Sequence, residues 1–175
     1  MPPYLSIPHF HLSKLPLTTK VALTCFSLAL LFAILFVTIA VFGDRTDYET
    51  KGVQANFAGD ERVTRETGAK FEKMYTEHKK RSIYDIVHPH SFMMPLIYFV
   101  LCHLMEMTYA PRGLKIGLYV GAFVAMMLVI FSPLLVWTNI ALAPVVIPAV
   151  VGMGFAFIVM LVLPTFQMWF PGKAA

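Results

Sequence analysis

Charge is scarce in this chain outside one segment. Only 14% of its 175 residues are Asp, Glu, Lys or Arg, against about a quarter in an ordinary soluble domain. Nine of the 14 basic residues and nine of the 10 acidic ones lie between Asp44 and Asp85, and the remaining acid is Glu106. The pI near 9.1 therefore comes from a few Lys and Arg at the edges of apolar stretches. No basic stripe exists outside the charged segment, and inside it the two signs cancel, which excludes a nucleic-acid footprint. Cysteine is equally sparse. Cys25 and Cys102 both sit in apolar runs, so no disulfide framework is supported, and each reads as a small buried apolar residue. Compact catalytic signatures are missing too. The chain has no P-loop, no G-x-S-x-G, no H-E-x-x-H and no C-x-x-C-H. That removes the common hydrolases and covalently attached c-type haem. It leaves b-type haem and quinone sites, which have no compact motif. No inverted repeat is visible, which disfavours a transporter of that design.

What remains is apolar: 58% of residues are hydrophobic and the mean hydropathy is +0.69. Four stretches, residues 21–42, 92–110, 114–136 and 145–170, approach or exceed the roughly 20 residues that cross ~30 Å of hydrocarbon. The fold class expected is all-α: a polytopic membrane protein with four transmembrane helices. The first stretch reads as a signal anchor, because its apolar region is too long for a cleaved signal and no A-x-A precedes Gly43. Lys14 and Lys20 precede the first span, Arg112 and Lys115 bracket the link between the second and third, and Lys173 follows the fourth. Positive residues favour the cytoplasmic side. Both termini are therefore expected inside, with the long loop 43–91 outside.

That loop is patterned. Val63, Thr67, Phe71, Met74, Tyr75 and His78 recur at helical spacing, which predicts an amphipathic outer helix over residues 60–81. Glu66 and Lys70 would pair along it. It reads either as a lid or docking element or as a connector packed on the bundle. The first sixteen residues hold four prolines with His9 and His11, and predict an irregular tail. Gly113, Gly117 and Gly121 form a small-residue stripe, echoed by Gly152 and Ala156. Such stripes let helices approach closely, either within the bundle or with a second copy or a larger membrane complex. Pro133 and Pro164 predict kinks, with Ser132 placed to satisfy a freed carbonyl. Trp137 and Trp169 fit the aromatic belts.

Histidine supplies the candidate chemistry. His88-Pro89-His90 stands where the charged loop meets the second span, and His103 lies within that span. Asp85, His88 and His90 offer two imidazoles and a carboxylate, a set suited to a divalent metal such as zinc or copper. Met93 and Met94 would favour copper. The competing reading is a helix start at Pro89, with Ser91 as a cap. Ser91, Tyr98, Cys102, Glu106 and Tyr109 share one face of the span, which must turn towards protein. His103 and Glu106, three residues apart, suit a proton relay, a ligand with its supporting carboxylate, or a structural pair. His90 and His103 are separated by about 20 Å along a helix, a depth suited to two b-type haems, but by about 140° in direction. The other spans hold no histidine. A second haem ligand would come from another protomer or from Met126, Met127 or Met153.

The run Ile86-Val-His-Pro-His-Ser-Phe, the apolar helix after it and the closing Gln167-Met-Trp resemble a group of small four-helix bacterial inner-membrane proteins. Those proteins share an H-x-H at the head of helix 2 and a Met-Trp near the end of helix 4. The resemblance covers roughly the last 90 residues. It implies a four-span architecture and a bacterial inner membrane, and no activity. Three roles stay open. One is a component of an electron-transfer system, holding or flanking a haem b or metal centre near the outer face. Another is a non-catalytic assembly or scaffold subunit, with no cofactor. The last is a proton-coupled carrier using His103 and Glu106.

Overall fold

A chain in lipid must satisfy its backbone N–H and C=O groups internally, so the apolar runs fold as helices. The computed structural model describes residues 11–70, 76 and 79–170. The helices are α1 (Leu17–Leu35), α2 (Phe42–Thr46), α3 (Thr50–Ala58), α4 (Asp60–Thr67), α5 (Lys80–Glu106), α6 (Arg112–Thr138) and α7 (Val146–Trp169). Four stretches are long and apolar enough to cross a membrane: Leu17–Thr46, Arg81–Glu106, Arg112–Thr138 and Ile140–Trp169. The chain is thus the expected all-α, four-span membrane protein, and no strand occurs among the described residues.

The centre of the bundle is α7, which packs against α1, α5 and α6. The core joins Leu101 of α5, Met126 and Ile130 of α6, and Phe157, Met160 and Leu161 of α7. The first span lies to one side and is apolar all round, with Phe32 71% exposed, as suits a helix mostly coated by lipid. Two polar contacts lock it to α7. Thr165 donates to the Ser27 hydroxyl at 2.9 Å, and the Trp169 indole donates to the Thr24 hydroxyl at 2.9 Å.

This span is not regular. It passes through a π turn at Phe36–Val41 before continuing as α2. The Tyr48 hydroxyl folds back and donates to the Thr38 carbonyl inside that turn. The chain reverses at Asp47 and Tyr48, with φ of 49° and 54°. Immediately after, Gly52 lies against the Thr46 backbone carbonyl, where a Cβ would collide. Only glycine lets α3 close onto α2 this tightly.

α3 and α4 cover one end of the bundle, here the loop end. Val53 of α3 packs with Val136, Ala143 and Val146. Gln54 donates to the Ile140 carbonyl at 3.0 Å, and Arg62 of α4 donates to the Trp137 carbonyl at 2.7 Å. That arginine satisfies a carbonyl left open by the end of α6. Periodicity did not foresee α3.

Several expected boundaries move. The amphipathic helix predicted over 60–81 ends at Thr67, because Gly68 takes a left-handed φ of 73° and caps it. Glu66 consequently pairs with Arg62 at 2.9 Å and not with Lys70. Phe71, Met74, Tyr75 and His78 lie outside the described residues. The second span starts twelve residues earlier than the expected 92–110 and ends at Glu106. Lys80, Arg81 and Asp85 extend a helix of about 40 Å beyond the apolar core, and Pro89 and Pro95 are held inside it. The H-x-H is therefore mid-helix. Ser91 is no cap; its hydroxyl donates to the Val87 carbonyl at 2.9 Å. Ser132 does what was expected. It donates to the Val129 carbonyl at 2.8 Å, the one Pro133 cannot serve.

The glycine stripe does not pack inside the bundle. Gly113, Gly117 and Gly121 are exposed, and a Cβ on any of them would meet nothing within 4 Å. The buried face of α6 runs through Ala122, Met126 and Ile130, on the far side of the helix. Gly152 is likewise open, whereas Gly154 faces the π turn, where a Cβ would make an ordinary contact with the Thr38 hydroxyl at 3.6 Å.

Two substitutions separate these glycines. Gly52→Ala is expected to lower the unfolding temperature in detergent, by overpacking worth about 1–3 kcal/mol. Gly117→Leu is expected to leave the unfolding temperature of the monomer unchanged. The opposite order in a thermal melt would contradict both placements.

Candidate functional site

On α5 the side chains divide by helical phase, about 100° per residue. Ile83, Leu101 and Met105 are buried against the bundle. Asp85, His88, Phe92, Leu96, Phe99 and His103 are all exposed and fall on the opposite side. His88 meets the Phe92 ring edge-on at 5.2 Å. His103 lies 4.1 Å from the Phe99 ring, with Nδ1 2.9 Å from the Phe99 carbonyl oxygen. A nitrogen that close to a carbonyl carries the proton, so Nδ1–H donates and Nε2 is left facing outwards. His88 and His103 are about 60° apart in direction and about 22 Å apart in depth.

His90 points elsewhere. Its Nδ1 is 2.6 Å from the Ile86 carbonyl oxygen, and its ring lines a cavity of about 250 Å³ at the loop end. The H-x-H is thus split between two surfaces, because residues two apart on a helix do not face each other. The expected metal set of Asp85, His88 and His90 is not assembled. Among the described residues no three His, Cys, Asp or Glu side chains gather as ligands. The haem pairing of His90 with His103 changes in the same way: His88 shares the His103 face and His90 does not. Of the methionines considered, Met153 lines the His90 cavity, while Met126 is buried in the core and Met127 packs beside it.

His103 and Glu106 do not pair. The Tyr119 hydroxyl donates to Glu106 Oε2 at 2.9 Å and sits 3.2 Å from the Cys102 carbonyl oxygen. Lys115 donates to the Glu106 backbone carbonyl at 2.8 Å and lies 3.9 Å from its carboxylate. Tyr98 returns the link by donating to the Tyr119 carbonyl at 3.1 Å. The expected polar face of Tyr98, Cys102 and Glu106 therefore turns towards α6 as a hydrogen-bonded seam. Tyr119 was the missed member, a hydroxyl in an otherwise apolar stretch of α6. Tyr109 has another role. Its N–H donates to Gln167 Oε1 at 2.8 Å, and its ring stacks on His11 at 3.8 Å. That contact pins the N-terminal segment across the turn end of the bundle. His9 lies outside the described residues.

The cavity itself was not legible in the sequence. Its walls come from five separate parts of the chain, including Thr38, Asn56, His90, Ser132 and Met153. Asn56 belongs to α3, whose short polar pattern carries no membrane signal.

Residues 47–175 match the family Aq_1264_TM, described as a transmembrane helical domain. The chain belongs to that family. The match spans α3 to α7, and so covers both the open histidine face and most of the cavity wall. No curated protein and no solved structure matches the chain. A multi-pass membrane protein in contact with the lipid bilayer is what family and helices together establish.

The seam gives a direct test. Tyr119→Phe removes the hydroxyl shared by Glu106 and Cys102 and is expected to cost about 1–2 kcal/mol, read as a lower unfolding temperature in detergent. His103→Ala, which breaks only a contact within its own turn, is expected to be nearly neutral in the monomer. An unchanged Tyr119→Phe variant would remove the seam's structural role.

Proposed function

We propose that the protein is an integral component of a membrane electron-transfer system, holding or flanking a b-type haem through the open histidine face of α5. One observation carries this reading: His88 and His103 stand on the same unpartnered face at two depths. Imidazole facing hydrocarbon is unfavourable and is ordinarily met by protein or cofactor. The His103 ring is held by Nδ1–H on the Phe99 carbonyl, the usual posture of an imidazole that offers Nε2 to a metal. A second copy related by a two-fold axis along the membrane normal would set each histidine against its own equivalent. That gives paired imidazoles at both depths, a donor set suited to b-type haem. When bound, haem supplies reversible one-electron transfer. The chain's own part is to orient the imidazoles and, through Phe92, Leu96 and Phe99, to keep water away.

A second reading, a scaffold or assembly subunit, is favoured by the outward Gly113, Gly117 and Gly121, which leave a flat surface for another helix. The carrier reading has the least support, since Glu106 is tied to Tyr119 and Lys115 and His103 to its own turn. For location, the bacterial inner membrane with both termini cytoplasmic is the reading supported by Lys14, Arg112 and Lys173.

Two measurements test this. Purified protein is expected to give a reduced-minus-oxidised Soret change that His88→Ala and His103→Ala each diminish and His90→Ala leaves in place. Colourless protein that co-purifies with a larger complex would instead select the scaffold reading. For topology, cysteine at Glu61 is expected to react with an impermeant thiol reagent in intact cells, and cysteine at Gly113 is not. The reverse pattern would invert the proposed orientation.

A further inference from the structure

The loop-end cavity plays no part in the histidine-face reading and has features of its own. At about 250 Å³ it is near the lower size limit of small-molecule pockets. Its lining is mostly apolar, with Arg45, Thr38 and Ser132 at its polar edge and His90 and Asn56 on its wall. His90 carries its proton on Nδ1, which lies 2.6 Å from the Ile86 carbonyl oxygen. In the neutral ring Nε2 is then a hydrogen-bond acceptor. The Asn56 carboxamide has no hydrogen-bond partner among the described residues. His90, an exposed residue, and the half-buried Asn56 thus offer a ligand an acceptor and a carboxamide beside an apolar wall.

The wall is also built at a cost. Val37, Thr38 and Val41 of the π turn line the cavity, and such turns recur at functional sites. The Tyr48 hydroxyl on the Thr38 carbonyl fixes the turn, and both Asp47 and Tyr48 hold left-handed backbone to deliver it. Non-glycine residues take that conformation only where the surroundings enforce it.

We propose that this cavity binds a small phenolic amphiphile drawn from the membrane. Its hydroxyl donates to His90 Nε2, and Asn56 supplies a second polar contact. Its ring lies against Met94 and Met153, whose sulfurs favour aromatic contacts. An alkyl tail completes the apolar burial. Binding does not depend on whether a haem occupies the histidine face, so either proposal can fail without the other.

The test uses the full chain in phosphatidylcholine nanodiscs, with empty discs subtracted. The probes are 4-hexylphenol and its methyl ether, 4-hexylanisole, which has no hydroxyl donor. The phenol is expected to bind saturably and about tenfold more tightly than the ether. His90→Leu is expected to bring that ratio to about one, and Met153→Trp to abolish saturable binding of both by filling the pocket. Equal affinities in the unaltered protein, or no saturable binding at all, would overturn the proposal without recourse to any variant. So would a preserved ratio in folded His90→Leu, or undiminished binding in folded Met153→Trp.

Discussion

Lipid offers no hydrogen bonds, and the structure is organised by that deficit. Many polar groups in the described spans take a partner from the chain. Ser132 serves the carbonyl that Pro133 abandons. Tyr48 serves the Thr38 carbonyl in the π turn, and Tyr119 joins Glu106 to the α5–α6 seam. Thr24 takes the Trp169 indole, which stands beside Lys20, 5.8 Å from its ammonium. Each contact is worth only about 1 kcal/mol net. The loss of any one leaves a polar group in hydrocarbon, a larger penalty.

Among the described residues, His11 Nδ1 is a buried side-chain atom without a partner, and the histidines of α5 are exposed. His103 turns its free nitrogen outwards, with His88 on the same side of α5 about 22 Å away in depth. His90 and Asn56 turn theirs into the loop-end cavity. Because His88 and His90 are only two residues apart on a continuous helix, α5 divides neighbouring histidines between an open face and the wall of a cavity. Had the helix begun near Ser91, about three turns later, the same residues would have lain in a loop with Asp85. The early start of α5 at Lys80 therefore decides which chemistry is available.

Much of the fold was legible because its signals are local. Four apolar runs of sufficient length gave four spans, and Ser132 next to Pro133 announced its own hydrogen bond. Boundaries were harder. Arg81 and Asp85 look like loop because charge is costly in lipid, yet a helix of about 40 Å extends past the hydrocarbon and leaves both exposed. The outer helix failed at Gly68, where a left-handed cap outweighed a sustained apolar period. The site was less legible than the fold. His103 and Glu106 have pairing spacing, but Tyr119, thirteen residues further on, competes for the carboxylate. The cavity needs five segments at once, and no periodicity in one segment reports it. The glycine stripe was visible as a pattern, but which side of α6 it faces is a property of the packed bundle.

In the proposed assembly a second copy covers the open face of α5 around a cofactor held by paired imidazoles. Native mass spectrometry of the protein released from its own membranes tests this most directly. A dimer that carries haem, with haem lost whenever the dimer separates, is the predicted result. A monomer, or a dimer of unadorned polypeptide mass whose His88→Ala and His103→Ala variants assemble unchanged, would contradict it.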